Sequence, residues 1–225
     1  MLTLRFDPEF TGQIPFLRMA GLLFTGVTCG PSPAPLQSLI AAAAAQTAAG
    51  IKLEEISALP GVAGWRRVLK ALGTDPTRYR VSSERLLRRA VKGEGLPAVN
   101  ALVDICNVWS LVSGLPAGLY DADKLAGTAL TLGAGRPGES YPTLAGAPLE
   151  TAGKPVLRDD AGPCGSPLTD SERTKTDEST RRCLLVVYVP PGYPADELER
   201  HLALAADWYP RYAGGELAQQ VTSDG

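Results

Sequence analysis

Apolar and polar positions change rhythm once along this chain. Through the first half they recur at helical spacing, and beyond Leu115 they gather into short runs set between turns. The first thirty residues read as strands, and Leu17–Val27 is apolar with few breaks, as a buried strand is. Pro31, Pro33 and Pro35 make a stiff connection to an alanine-rich helix over Leu36–Ala49, which Gly50 closes. Leu53–Ala58 is a short mixed stretch broken by Pro60-Gly61. A second helix is predicted over Val62–Leu72, stopped by Gly73. A third starts at Ser82-Ser83-Glu84, with a hydroxyl for the N-cap and an acid in the first turn, and runs to Lys92. A fourth covers Val99–Val112 and ends at Gly114. Then the pattern turns to strands: Thr128–Leu132 alternates, residues 133–170 hold many Gly and Pro, and Cys183–Val189 is strongly β-prone. A last helix over Ala195–Tyr212 puts Leu198, Leu202 and Ala205 on one face, and the final ten residues add a short strand or fray. Helices early and strands late is the α+β pattern. No repeat and no long linker divides the chain, so one domain over 1–225 is expected.

Composition narrows the function classes. A chain of 225 residues, 44% hydrophobic and 20% charged, can bury a substantial core. Its net charge of −2 argues against coating nucleic acid over the whole surface but leaves room for a local basic patch. No charged segment followed by an apolar core opens the sequence. The longest apolar runs, near Leu39–Ala45 and Cys183–Val189, are too short to span a bilayer. A cytoplasmic protein with no membrane partner is therefore expected. Cys29, Cys106, Cys164 and Cys183 are dispersed and His201 is the single histidine, so no metal is expected. Gly133-Ala134-Gly135 lacks the further glycine and helix start of a phosphate-cradling loop, and no cofactor is expected. One histidine, read here as a surface residue, does not make a Ser-His-Asp arrangement.

Three groups of residues are candidates for function. Residues 66–92 carry Arg66, Arg67, Lys70, Arg78, Arg80, Arg85, Arg88, Arg89 and Lys92 against only Asp75 and Glu84, a local charge of +7. Such a belt can track phosphates by releasing condensed counterions, or it can be a solvated helix surface. Arg85, Arg88, Arg89 and Lys92 are spaced to share a helix face. Asn100, Asp104 and Asn107 interrupt an otherwise apolar helix at i, i+4 and i+7. They either hold loops, Asp104 accepting backbone N–H groups from the Leu115–Asp121 turn, or line a pocket near Tyr120-Asp121. Asp170, Ser171, Arg173 and Thr174 form a polar loop cluster. It either holds a ribose, a terminal phosphate or an aminoacyl carbonyl, or is a turn bonded to itself.

Several of these residues lie in segments that carry a family resemblance. Tyr79-Arg80-Val81-Ser82-Ser83-Glu84-Arg85-Leu86-Leu87-Arg88-Arg89 is the first. The second runs from Asn100-Ala101-Leu102-Val103-Asp104-Ile105-Cys106-Asn107 to Leu119-Tyr120-Asp121-Ala122-Asp123-Lys124-Leu125-Ala126-Gly127, and the third is Asp170-Ser171-Glu172-Arg173-Thr174-Lys175-Thr176. Together, over roughly residues 60–190, they resemble the B3/B4 domain of the phenylalanyl-tRNA synthetase β chain and its free-standing relatives. The resemblance implies an α+β fold with helices packed on a layered β structure. It also implies tRNA or aminoacyl-tRNA as partner, and editing of mischarged aminoacyl-tRNA as the family's chemistry. The chain departs from the synthetase pattern in the strand Leu184–Tyr188, where Val186 stands in place of a glutamate, and it lacks the later His-Thr-Asp-x-Ala stretch. The resemblance therefore assigns no catalytic residue. A trans-editing hydrolase and a non-catalytic binding module for tRNA or a small amino-acid-like ligand both remain open, as do the amino acid recognised and the oligomeric state.

Overall fold

A computed structural model describes residues 1–224. Strand β1 (Thr3–Phe6) is followed by helix α1 (Pro8–Gln13), and strand β2 (Arg18–Thr25) comes next. The short helix was not expected among the opening strands. Its signal is local: the Asp7 side chain accepts from the Glu9 amide at 2.9 Å and Pro8 occupies the first turn. Then come α2 (Ala34–Gly50), α3 (Pro60–Ala71), α4 (Ser82–Val91) and α5 (Ala101–Ser113), close to the spans that periodicity predicts. The strands β3 (Ala117–Asp121), β4 (Ala129–Ala134), β5 (Ser140–Pro142), β6 (Pro148–Glu150), β7 (Pro155–Asp159), β8 (Gly162–Gly165) and β9 (Arg182–Val189) follow. Helix α6 (Ala195–Ala213) and strand β10 (Glu216–Asp224) complete the order.

The architecture is α+β in three layers. One sheet runs β10-β2-β9-β3, all antiparallel. A second runs β1-β4-β7-β8, with β1 and β4 parallel, and β5-β6 form a small ribbon. The first sheet is the middle layer, which explains why β9 is apolar at nearly every position. Cys183, Leu185, Val187 and Val189 face α2, α4, α5 and α6, while Leu184, Val186 and Tyr188 face the second sheet and α3. Val186 is fully buried in that second core, packed among apolar side chains.

Helix α4 begins differently from the expected hydroxyl cap. Val81 occupies the N-cap without a side-chain bond, and the hydroxyls of Ser82 and Ser83 are buried without a hydrogen-bond partner. The Ser82 amide donates to the Pro167 carbonyl at 2.9 Å, which ties α4 to the loop before β9. Helix α5 starts with Asn100 as a true cap: its side chain accepts from the Val103 amide at 3.0 Å. No helix among the described residues is long and apolar enough to cross a membrane.

Candidate functional site

The basic belt is drawn in several directions by its surroundings. Glu84 is fully buried and gathers guanidinium groups from two helices and the loop between them. Arg66 donates to both of its oxygens at 2.8 and 3.0 Å, Arg88 donates at 3.0 Å, and Arg80 stands at 3.5 Å. Arg89 turns to Glu94 and the Gly95 carbonyl, and Arg78 stacks on the Tyr79 ring. Arg85 instead reaches the Leu168 carbonyl. The expected common face of Arg85, Arg88, Arg89 and Lys92 is thus divided, because each guanidinium finds a different acceptor. Arg67, Lys70 and Lys92 remain exposed.

Arg85 opens onto a cavity of about 440 Å³. Ser82 and Arg85 of α4 form one wall, and Asn100, Val103, Cys106 and Asn107 at the start of α5 form another. Ala117 and Leu119 of β3 make the floor, and Ser166, Thr169, Asp170, Glu172, Lys175 and Thr176 close it from the loop before β9. The wall is apolar at Val103, Cys106, Ala117 and Leu119 and polar opposite, as small-molecule sites commonly are.

Asp170 is the centre of this arrangement. Its Oδ2 accepts the Leu119 amide at 3.1 Å, while its Oδ1 is buried with no hydrogen-bond partner. Burial pushes its pKa up to about 7, against the opposing pull of the Leu119 amide, the Tyr120 hydroxyl and the Arg85 charge. The Tyr120 hydroxyl is near enough to act on the carboxylate, yet its hydrogen bond is to the Tyr188 hydroxyl at 2.7 Å, and it meets no bonding geometry with Oδ1. Arg85 is exposed overall, although protein packed around its head group lowers its pKa and the Asp170 charge raises it. Room for this cluster comes from glycine. A Cβ on Gly118 would stand 2.2 Å from the Tyr120 hydroxyl and 2.8 Å from Asp170 Oδ1, and one on Gly165 would stand 2.4 Å from the same hydroxyl.

The other candidates divide between wall and scaffold. Asn107 lines the cavity, and no hydrogen bond of its amide to protein is found among the described residues. Asn100 lines it while capping α5. Asp104 is buried and accepts from the Ser32 hydroxyl at 2.6 Å and the Val99 amide at 2.9 Å, so it ties α5 to the segments before it and not to the Leu115–Asp121 turn. Tyr120 lies fully buried beneath Asp170. Asp121, on the opposite face of β3, accepts from Thr180 at 2.7 Å and from the Asp123 amide at 3.0 Å. Arg173 forms a two-point ion pair with Asp159 at 2.8 and 2.9 Å, Ser171 accepts from the Arg173 amide, and Thr174 donates to the Cys164 carbonyl. These three hold the loop against β7 and β8, and only Asp170 of the four loop candidates lines the cavity.

Sequence reasoning did not single out Ser82, Ser166, Thr169, Lys175 and Thr176, and it assigned Arg85 to the belt. Ser82, Lys175 and Thr176 stand in the segments that carry the resemblance, which was the available signal. A larger cleft of about 730 Å³ lies between the start of α3, the end of α5 and α6. Its walls are mostly apolar and none of the expected residues line it. His201 lies there half-buried, with Nδ1 3.1 Å from the Tyr193 hydroxyl and its carbonyl accepting from the Trp109 indole, so packing of α6 on α5 takes it out of the surface role expected for it. The smaller cavity is the better candidate because Ser82, Arg85, Asn107 and Asp170 line it together.

Comparison with known proteins gives these features a family context. Residues 64–215 match the family model of the B3/4 domain. The phenylalanine–tRNA ligase β subunit of Bartonella henselae is 32% identical over 136 residues, and that of Bartonella quintana is 31% identical over 135 residues. The matches cover 60% and 59% of this chain but 17% of each ligase subunit, so the chain spans only a small part of those relatives. Among solved structures, an N-terminal fragment of the phenylalanyl-tRNA synthetase β subunit from Pyrococcus horikoshii aligns with all of this chain and 55% of its own, at 13% identity and a TM-score of 0.49.

Proposed function

The chain belongs to the B3/4 domain family, and on that premise we propose that it recognises an aminoacyl group, presented by tRNA, in the cavity beneath Asp170. One observation carries the reading: Asp170, buried and with one carboxylate oxygen lacking a partner in the protein, lines a cavity that also holds a guanidinium. An unpaired buried acceptor is costly, and a ligand that donates to it recovers that cost. The α-ammonium of an aminoacyl ester is such a donor. Its side chain would lie against Val103, Cys106 and Leu119, and Arg85 and Lys175 would meet the carbonyl or the terminal phosphate. The ligase β subunits that the chain resembles support tRNA as the carrier.

The test is calorimetric titration with non-hydrolysable aminoacyl-adenosine analogues. We expect Asp170→Asn to weaken binding at least tenfold, on the order of 1.4 kcal/mol, and N-acetylation of the analogue to do the same. Equal binding by wild type and Asp170→Asn, with or without the acetyl group, sinks the assignment.

A second reading, hydrolysis of the ester, is favoured by the Asp170 pKa near 7, which suits a general base at neutral pH. The synthetase glutamate has no counterpart, since buried Val186 occupies that strand. A deacylation panel of mischarged tRNAs separates the two. Turnover that follows a single ionisation near pH 7 and vanishes in Asp170→Asn supports the hydrolase; tight binding without turnover supports the module.

A further inference from the structure

Phe16 is at odds with its surroundings. It is 75% exposed, although its neighbours Ile14 and Leu17 are buried. Its φ of +65° is the one positive value among the described residues that are not glycine. Both features are unfavourable for folding: an aromatic ring is left in water, and an L-residue is held in the left-handed region. Backbone strain that survives in a well-packed setting clusters at functional positions. Here Pro15 precedes the residue and β2 follows it, so the turn holds the ring outward.

The ring borders a groove of about 290 Å³, lined by the end of α1, the Pro15-Phe16 turn, Pro191 and one face of α3. Arg67 lines the groove, and Lys70 lies one turn further along the same helix. Both are exposed, and neither belongs to any ion pair among the described residues, unlike Arg66 beside them. No carboxylate lines the groove. An exposed aromatic plane beside unpaired cations matches what a single nucleic-acid strand needs. The bases have π-faces that stack without regard to sequence, and the phosphates take the cations.

We propose that Phe16, Arg67 and Lys70 form a docking point for single-stranded RNA, with one base stacked on the Phe16 ring and its phosphates against the two cations. Phe16 lies outside residues 64–215, whereas Arg67 and Lys70 lie within them. It is independent of the cavity: bare RNA suffices, and its failure leaves the reading of Asp170 standing.

The experiment uses a short single-stranded RNA carrying 2-aminopurine, whose fluorescence is quenched on stacking. Wild type and Phe16→Trp should bind with quenching. Phe16→Ala should lose about tenfold in affinity, in the range that removal of one stacking partner costs. Arg67→Glu with Lys70→Glu should reduce both affinity and its salt dependence. Phe16→Gly guards against misfolding, because glycine accepts the positive φ; it should melt at or above the wild-type temperature and still bind as weakly as Phe16→Ala. Wild-type affinity in Phe16→Ala and Phe16→Gly, or binding without quenching, overturns the proposal. So does a wild-type protein that ignores the RNA but floats with phosphatidylcholine–phosphatidylserine vesicles, or self-associates, in a Phe16-dependent way.

Discussion

Helix α4 separates two carboxylates that have been treated very differently. Glu84 is fully buried and has its oxygens taken by Arg66 and Arg88, with Arg80 beside them. Asp170 keeps one oxygen bonded to the Leu119 amide and one with no partner, and the residue lines the cavity into which Arg85 opens. Glu84 and Arg85 are adjacent in sequence, yet one organises a closed cluster and the other an open one. The difference teaches how to sort polar residues in this fold: a buried charge that is saturated holds structure, and a buried charge left unsaturated is available to a ligand.

The strongest test of that division is Glu84→Ala. Three guanidiniums would lose their shared acceptor, and we expect a loss of about 3 kcal/mol, with a fall in Tm of roughly 6–12 °C. A calorimetric melt unchanged by the substitution would remove Glu84 from the structural side.

Asp170→Asn should do the opposite to stability. The Asp170 pKa stands at about 7 when folded, against an ordinary value of 3.8. The folded state therefore holds a proton that the unfolded chain releases, and stability declines as pH rises from about 4 to about 7, then stays low. Asparagine removes that dependence. We expect the variant to gain about 1–2 kcal/mol at pH 8 and nothing near pH 4, while analogue affinity falls. Urea melts at the two pH values decide it; equal gains at both would show that the carboxylate is not strained by its burial. In wild type the same ionisation should make binding of a cationic ligand weaken as pH drops below about 7.

Arg173→Ala sharpens the boundary from the scaffold side. The guanidinium is partly exposed, so its two-point pair with Asp159 is discounted for solvent, and about 1 kcal/mol is expected, with affinity for the analogue unchanged. A variant that melts like wild type but binds poorly would move Arg173 into the ligand site. The smallest effect on stability is expected for Asn107→Ala, whose amide has no bond to protein among the described residues. Its Tm should stay within about 1–2 °C, while affinity drops roughly three- to tenfold if the amide meets the ligand. A fall of many degrees, with binding lost only in proportion, would make Asn107 a scaffold residue.

Much of this protein was determined by sequence alone. The helices α2 to α6 are readable from periodicity and from the glycines that close them, because those signals act within a few residues. Strand β9 is readable as a β-prone apolar run, while its burial on both faces belongs to the docked layers. The segment from Asp170 to Thr176 was legible as chemistry, but which of its residues faces a cavity was not. Partner choice is a matter of distance in space between groups far apart in the chain. Glu84 and Arg66 are 18 positions apart, Leu119 and Asp170 are 51, and Arg85 and Leu168 are 83. Composition showed a belt of nine cations, yet only packing decided that Arg66, Arg80 and Arg88 converge on one buried acid and that Arg85 turns to the cavity. A side chain's bonds are chosen after the helices and sheets have docked, and the desolvation that sets the Asp170 pKa exists only in the docked state.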